Sequence, residues 1–258
     1  MIPNAVPVHA GTIMNMDGLL RCSRYAFGPN RLHYCGPDAN QELFSYLDHE
    51  VADAGLAQLL KGFQTMYPYL RLIADANGIS DPFDERVVEA YWIGNGLLDH
   101  VHVRAFYDHL RDEQKLGQRM KWEEVDRLGG KIVQGAVPHH SFHVLEVWRR
   151  TGHQGREVTL ESMDSCRISW GKVTKVDGPH IDVATEPLIL LDGKLALGPA
   201  MNRRILRSLG AEHDIESLQP GQLITIHWGV PCEVVTSAQV TELKRRTLSH
   251  LTFANQTL

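Results

Sequence analysis

Apolar positions recur every three or four residues through the first half of the chain, and short apolar runs broken by Asp-Gly turns fill much of the rest. Asp38 reads as a helix N-cap with Gln41 as its capping-box partner, followed by Leu43, Phe44, Leu47 and Val51 on one face. Leu56, Leu59, Leu60, Phe63 and Met66 predict a second helix, interrupted by Pro68. Leu70, Ile73 and Ala76 continue a helical face to Asn77-Gly78, a C-cap pair. Ser80-Asp81-Pro82 opens a helix with Val87, Val88, Tyr91 and Trp92 inward. Val103, Phe106, Tyr107 and Leu110 mark another, and Trp122, Val125 and Leu128 one more, stopped by Gly129-Gly130. The first 36 residues show no such period, and Gly28-Pro29-Asn30 and Cys35-Gly36-Pro37 are turn signals there.

From about Gly152 the pattern changes to strands. Ile168–Val176 turns at Asp177-Gly178 into Ile181–Ala184, and Leu188–Leu191 turns at Asp192-Gly193 into Lys194–Leu197. Met201–Leu209 reads as a short helix ending at Gly210. Leu223–Trp228 and Pro231–Val235 are the last strands, and Thr236 with Gln239 caps a final helix. The expected class is α+β: an all-α domain over residues 1–150, then a small OB-like β-barrel with a C-terminal helix over 151–258.

Composition narrows the function classes. The chain has 258 residues, 43% hydrophobic and 22% charged, with 26 basic against 31 acidic side chains and a net charge of −5. No overall basic field favours nucleic acid. No apolar run is long enough to span a bilayer, and Met1 to Thr12 lacks the basic-then-apolar order of a secretory signal. A cytoplasmic protein is expected. Four cysteines, at 22, 35, 166 and 232, form no CxxC pair, so reduced thiols are expected rather than a disulfide framework.

Fourteen histidines turn attention to metals. His139 and His143 lie four apart in Pro138-His139-His140-Ser141-Phe142-His143, a spacing that converges two rings on either a helix or a strand. Imidazole is the commonest protein ligand for transition metals. The segment is not HExxH, so no hydrolytic zinc reading follows. Glu85 and Glu89, also four apart, share a helix face and could ligate a metal or could equally be solvated. The loop-like segment with Arg21, Cys22, Arg24, Arg31 and Cys35 could lend polar groups to a site or simply bury small thiols.

The last third carries an ordered set of short motifs. Cys166 is followed five residues on by Gly171-Lys172-Val173, then by the turn Asp177-Gly178. Pro220-Gly221-Gln222 then feeds Ile224-Thr225-Ile226-His227-Trp228-Gly229-Val230, ahead of one more strand and a helix. In order and spacing this resembles the HypC/HupF family of hydrogenase-maturation chaperones. The resemblance implies that Cys166 and His227 bind iron, as a fragment carrying cyanide and carbon monoxide. It implies as partners a HypD-like assembly scaffold or the precursor of a nickel–iron hydrogenase large subunit. In that family the cysteine follows the initiator methionine, so its α-amine is close by. Cys166 is internal, and the segment holding His139, His140 and His143 is the candidate to complete the site. The segments Tyr34-Cys35-Gly36-Pro37-Asp38, Asp81-Pro82-Phe83-Asp84-Glu85-Arg86 and Pro138–His143 look similar to an uncharacterised family of unknown function.

Three functions are therefore open. One is an accessory protein binding iron through Cys166 and His227 with help from His139, His140 and His143. A second is an iron enzyme of the helical part, using Glu85, Glu89, His100, His102, His139 and His143 and conceivably supplying a small ligand to cofactor assembly. The third is a carrier fold kept only for protein docking, with Cys166 an inert thiol.

Overall fold

A computed structural model describes residues 17–152, 157–207 and 217–258. Among the described residues seven α-helices come first: α1 (Gly18–Arg31), α2 (Asn40–Asp48), α3 (Ala54–Lys61), α4 (Met66–Ala76), α5 (Glu85–Trp92), α6 (Val103–Asp108) and α7 (Trp122–Val133). A junction helix then starts at His140–Phe142, widens to a π-helix over His143–Trp148 and ends at Arg149–Thr151. A short helix, Leu160–Cys166, leads into the strands: β1 (Ser169–Asp177), β2 (His180–Thr185), β3 (Leu188–Leu191), β4 (Lys194–Leu197), β5 (Met201–Leu206), β6 (Leu223–His227) and β7 (Val230–Val235). The C-terminal helix, Ser237–Ala254, closes the chain and is capped by Thr236 with Gln239, as the sequence predicts.

The mixed class expected from the sequence is the class observed. The strands form a five-stranded antiparallel sheet in the order β5-β2-β1-β6-β7, with β3 and β4 as a separate hairpin. The sheet is open: among the described residues no ladder joins its edges, β5 and β7. No helix is long and apolar enough to cross a membrane among the described residues.

Several local expectations are corrected. The supposedly irregular stretch holds α1, which is buried on nearly every face. Its polar residues hide its period, and each of the key ones has a partner. The Arg21 guanidinium lies 3.0 Å from both Glu233 and Glu89, and the Tyr25 hydroxyl donates to Glu233 at 2.6 Å. Removing Glu233 would leave Arg21 paired with Glu89 alone and take the carboxylate acceptor from the Tyr25 hydroxyl. Gly129-Gly130 does not stop α7, which runs on to Val133. Gly129 instead lets the Tyr107 ring approach, since a β-carbon there would meet it at 2.9 Å. Pro68 sits in the first turn of α4, where its missing N–H costs nothing. The expected helix from Met201 is strand β5, pairing Met201 with Thr185 and Leu206 with His180. As an edge strand it buries only Ile205 fully, so its polar pattern did not alternate. The end of that expected helix, 208–210, lies outside the described residues.

One hydrophobic core joins the helices to the sheet. Cys22, Tyr25, Leu70, Tyr91 and Phe142 pack in the same cluster as Ile168, Trp170, Cys232 and Phe253. His109, at the start of a π-turn (His109–Glu113) after α6, packs at a tilt against Tyr69, with ring centroids 4.4 Å apart, inside this core. Burial, and then the charge of Arg71, hold His109 down at about 3. The unfolded chain therefore takes up this proton first as pH falls. Native stability is full above about pH 6.5 and declines toward pH 3, by about 1.4 kcal/mol per pH unit for this group. Replacing His109 with Leu is expected to flatten that part of the stability profile. Chemical denaturation at several pH values checks it, and an unchanged acid slope would count against a buried neutral imidazole.

Candidate metal centre

The site forms where α1, α5, the junction helix, the Leu160–Cys166 helix and the β6–β7 turn meet. His227 is the last residue of β6 and is buried. The turn after it places Trp228 and Gly229 at positive φ, 50° and 73°, as a two-residue hairpin loop of the I′ kind requires. A tryptophan rarely adopts that backbone. Its ring stacks on Tyr34 with centroids 4.0 Å apart, and its backbone N–H donates to the Ser165 carbonyl at 2.8 Å. The β6–β7 turn is thereby tied to the helix that ends in Cys166. Next to Cys166, Arg167 is buried against Asp164, which also holds Arg203, and this clasp fixes the helix end on the sheet.

His227 Nδ1 lies 2.7 Å from the Tyr25 carbonyl. A carbonyl can only accept, so Nδ1 carries the proton and Nε2 keeps a lone pair. That Nε2 is buried and has no hydrogen-bond partner. The Tyr25 carbonyl is available for a reason written in the sequence. In an α-helix it would accept from the N–H four residues on, which is Pro29, and proline has none. Gly28 beside it allows the close approach, because a β-carbon there would lie 2.5 Å from the His227 carbonyl oxygen. An N–H-to-carbonyl bond of this kind fixes the tautomer and orientation of metal-binding histidines.

His140 is the second imidazole. Its Nε2 lies 2.9 Å from the Cys166 carbonyl and its Nδ1 3.2 Å from the Tyr91 hydroxyl. Nε2 therefore donates, and the Nδ1 lone pair, which meets the Tyr91 hydroxyl, is the one a metal would take in that hydroxyl's place. The His140 and His227 rings are 5.2 Å apart, and Trp92 flanks both, at 4.6 and 5.6 Å. Cys166, partly buried, is the third group. Donor atoms of His140, Cys166 and His227 all lie within 4.8 Å of one another. Among the described residues they are the group of histidine, cysteine or carboxylate side chains that comes together in this way.

The electrostatics suit a metal that has to be bound rather than a charge already present. Burial pushes His227 down to about 4, only partly offset by the Tyr25 and Cys166 carbonyls, and drives His140 further below the usual range. Both rings are neutral near pH 7. Burial raises the Cys166 thiol strongly, Cys35 adds to that, and the Trp228 indole works the other way. Two imidazole nitrogens and a thiolate are a donor set for zinc, copper or iron, and a cation there would take the thiol proton. These residues fit a metal, and the fit rests on the unpartnered His227 Nε2.

The other expected site residues are placed as follows. His139 is the extended N-cap of the junction helix, so it leaves the face carrying His140 and His143. Its Nδ1 meets Ser141 Oγ at 2.7 Å, and Ser141 meets His250 at 2.7 Å, a buried polar chain away from the cysteine. His143 does line the same cavity, three residues after His140, with ring centroids 6.4 Å apart. Glu89 is held by Arg21, and Glu85 begins α5, its backbone carbonyl accepting from Arg21 at 3.4 Å. Neither reaches the His140–Cys166–His227 group. His100 binds Asn77, and His102 caps α6. All four cysteines are free. Cys22 packs on Met66, Cys232 is buried under the β6–β7 ladder, and Cys35 lines the cavity, its thiol raised by burial to about 11. Tyr25 and Pro29 were missed because their helix was missed. Pro29 standing four residues after Tyr25 was the available signal.

Two outcomes follow. Wild-type protein is expected to bind cobalt(II) with a thiolate charge-transfer band and release about one proton per metal, the thiol's, so binding tightens as pH rises. Cys166→Ala should abolish the band and His227→Ala should weaken binding, both read by absorbance titration. Pro29→Ala restores an N–H that competes for the Tyr25 carbonyl. It should weaken cobalt affinity on the order of tenfold while leaving the fold intact by circular dichroism.

No curated protein and no solved structure matches the chain. A family of unknown function, DUF6390, matches residues 14–258, which takes in every element of the site, and the chain belongs to that family.

Proposed function

We propose that this protein is an accessory protein of nickel–iron hydrogenase maturation that holds iron at Cys166, His227 and His140. The cargo is iron with cyanide and carbon monoxide ligands, passed between an assembly scaffold and the precursor of the hydrogenase large subunit. The protein works in the cytoplasm.

The observation that carries the reading is the meeting of Cys166 and His227 with a third donor from outside the strand-rich part. The motif resemblance named the cysteine and the histidine, and it left a ligand missing because Cys166 is not N-terminal. The nearness of His140, with donor atoms within 4.8 Å of those of Cys166 and His227, supports the reading that it stands in for that ligand. Three protein donors leave positions on the metal open to small ligands, and the adjoining cavity of about 470 Å³ gives them room. A thiolate suits low-spin iron with π-acceptor ligands. The protein's part is to hold and shield: His227 is oriented by Tyr25, His140 by the Cys166 carbonyl, and Phe63, Met66, Trp92 and Trp148 provide apolar walls that keep water from the fragment. The thiol proton leaves when metal binds and returns when the fragment is handed on.

Protein purified without oxygen from cells that make nickel–iron hydrogenase should contain iron and show cyanide and carbonyl stretches in the infrared. Cys166→Ala should lose both. Metal-free wild-type protein from such cells would contradict the assignment.

A further inference from the structure

The cavity beside the metal site has a second chemistry at its His143 end. His143 is three residues from His140 and 8% exposed, and its Nδ1 is buried without a hydrogen-bond partner. A buried imidazole nitrogen in that condition costs about 1–3 kcal/mol unless something in the cavity answers it. Arg119 lines the same cavity from the segment between α6 and α7. It sits close enough for its charge to act on His143, and it is otherwise held by a 3.4 Å bond to the Gly152 carbonyl. Among the described residues no aspartate or glutamate lines the cavity. An exposed guanidinium, a buried nitrogen without a partner and a wall free of carboxylates form a receptor for negative charge.

The cavity is also too large for a metal alone. At about 470 Å³ it exceeds by more than tenfold the roughly 30 Å³ that one water takes in the liquid. A metal at His140, Cys166 and His227 would use the His227 lone pair and leave the His143 nitrogen without a partner. The His143 ring stands 6.4 Å from the His140 ring and lines the same cavity, beside the place where further ligands of that metal would lie.

We infer that Arg119 and His143 form an anion subsite that grips the outer end of a small linear anion coordinated to the metal held by His140, Cys166 and His227. This rests on the metal-site reading above and names the residues that select the ligand. His143 thereby acts on the metal's ligand rather than on the metal. Arg119, at the cavity mouth, supplies charge that draws the anion in and keeps it oriented. The pair favours an anionic complex over a hydrated cation, which gives the site a preference for a metal already carrying its ligands.

Azide is a suitable probe, since it is linear, anionic and does not reduce cobalt(II). Cobalt(II)-loaded wild-type protein is titrated with azide and followed by the visible spectrum, beside Arg119→Gln and His143→Leu. Azide affinity is expected to fall about tenfold in each variant, with cobalt affinity unchanged. Because Arg119 is exposed, its variant reports even if the buried substitution disturbs folding. Azide affinity equal to wild type in Arg119→Gln, with cobalt bound, overturns the subsite and leaves the metal site standing. Wild-type protein that binds no cobalt overturns the metal site itself, and the subsite with it. Cobalt affinity that falls along with azide affinity in His143→Leu, while Arg119→Gln keeps wild-type azide affinity, makes His143 a metal ligand and overturns the division of labour.

Discussion

Pro29 withholds one hydrogen bond, and the site depends on that omission. Without an N–H at position 29, the Tyr25 carbonyl lacks its i+4 donor, and His227 reaches it from the sheet at 2.7 Å. This single bond joins the first helix to the β6–β7 turn and fixes the His227 tautomer. It also leaves a buried lone pair facing Cys166 and His140. The conditions for that contact are met in the same helix. Gly28 clears the space, and Tyr25 is held at its far end by Glu233, which Arg21 neutralises. Without that network a polar helix could not lie buried on nearly every face.

The two ends of the chain supply different parts of one site. The strand-rich part presents a thiol at the end of a short helix and an imidazole at the end of a strand. The helical part supplies the tautomer-fixing carbonyl, the second imidazole, the cavity wall and the charged rim. Burial keeps both imidazoles neutral and the thiol protonated. Such a site spends no energy holding unpaired charge and would release one proton on taking a metal. The π-helical stretch that starts at His143 widens the junction helix beside the cavity, a distortion that recurs at functional sites.

Much of the fold could be read from the sequence because its elements obey simple periods and caps. Asp-Gly marked the β1–β2 and β3–β4 turns, and Thr236 with Gln239 marked the last helix. Helix α1 escaped because its buried face carries Arg21 and Tyr25, whose partner Glu233 lies 212 and 208 residues away and leaves no local trace. Strand β5 escaped because an edge strand with one fully buried residue has no alternation to read. At the site, Cys166 and His227 were legible through motif order. The histidine segment was legible as a candidate, but spacing favoured His139 with His143. His139 lies outside the helix as its cap, so the face that meets the cysteine belongs to His140 and His143. Arg119 carried no signal, because only the fold brings it to the cavity.

The central claim is a mixed sulfur and nitrogen ligand set drawn from both parts of the chain. X-ray absorption at the metal edge of anaerobically loaded protein tests it most directly. The account predicts one sulfur and two imidazole donors, with the sulfur lost in Cys166→Ala and one imidazole lost in His140→Ala. A spectrum with only oxygen and nitrogen donors in the wild-type protein, or one that Cys166→Ala leaves unchanged, would contradict it.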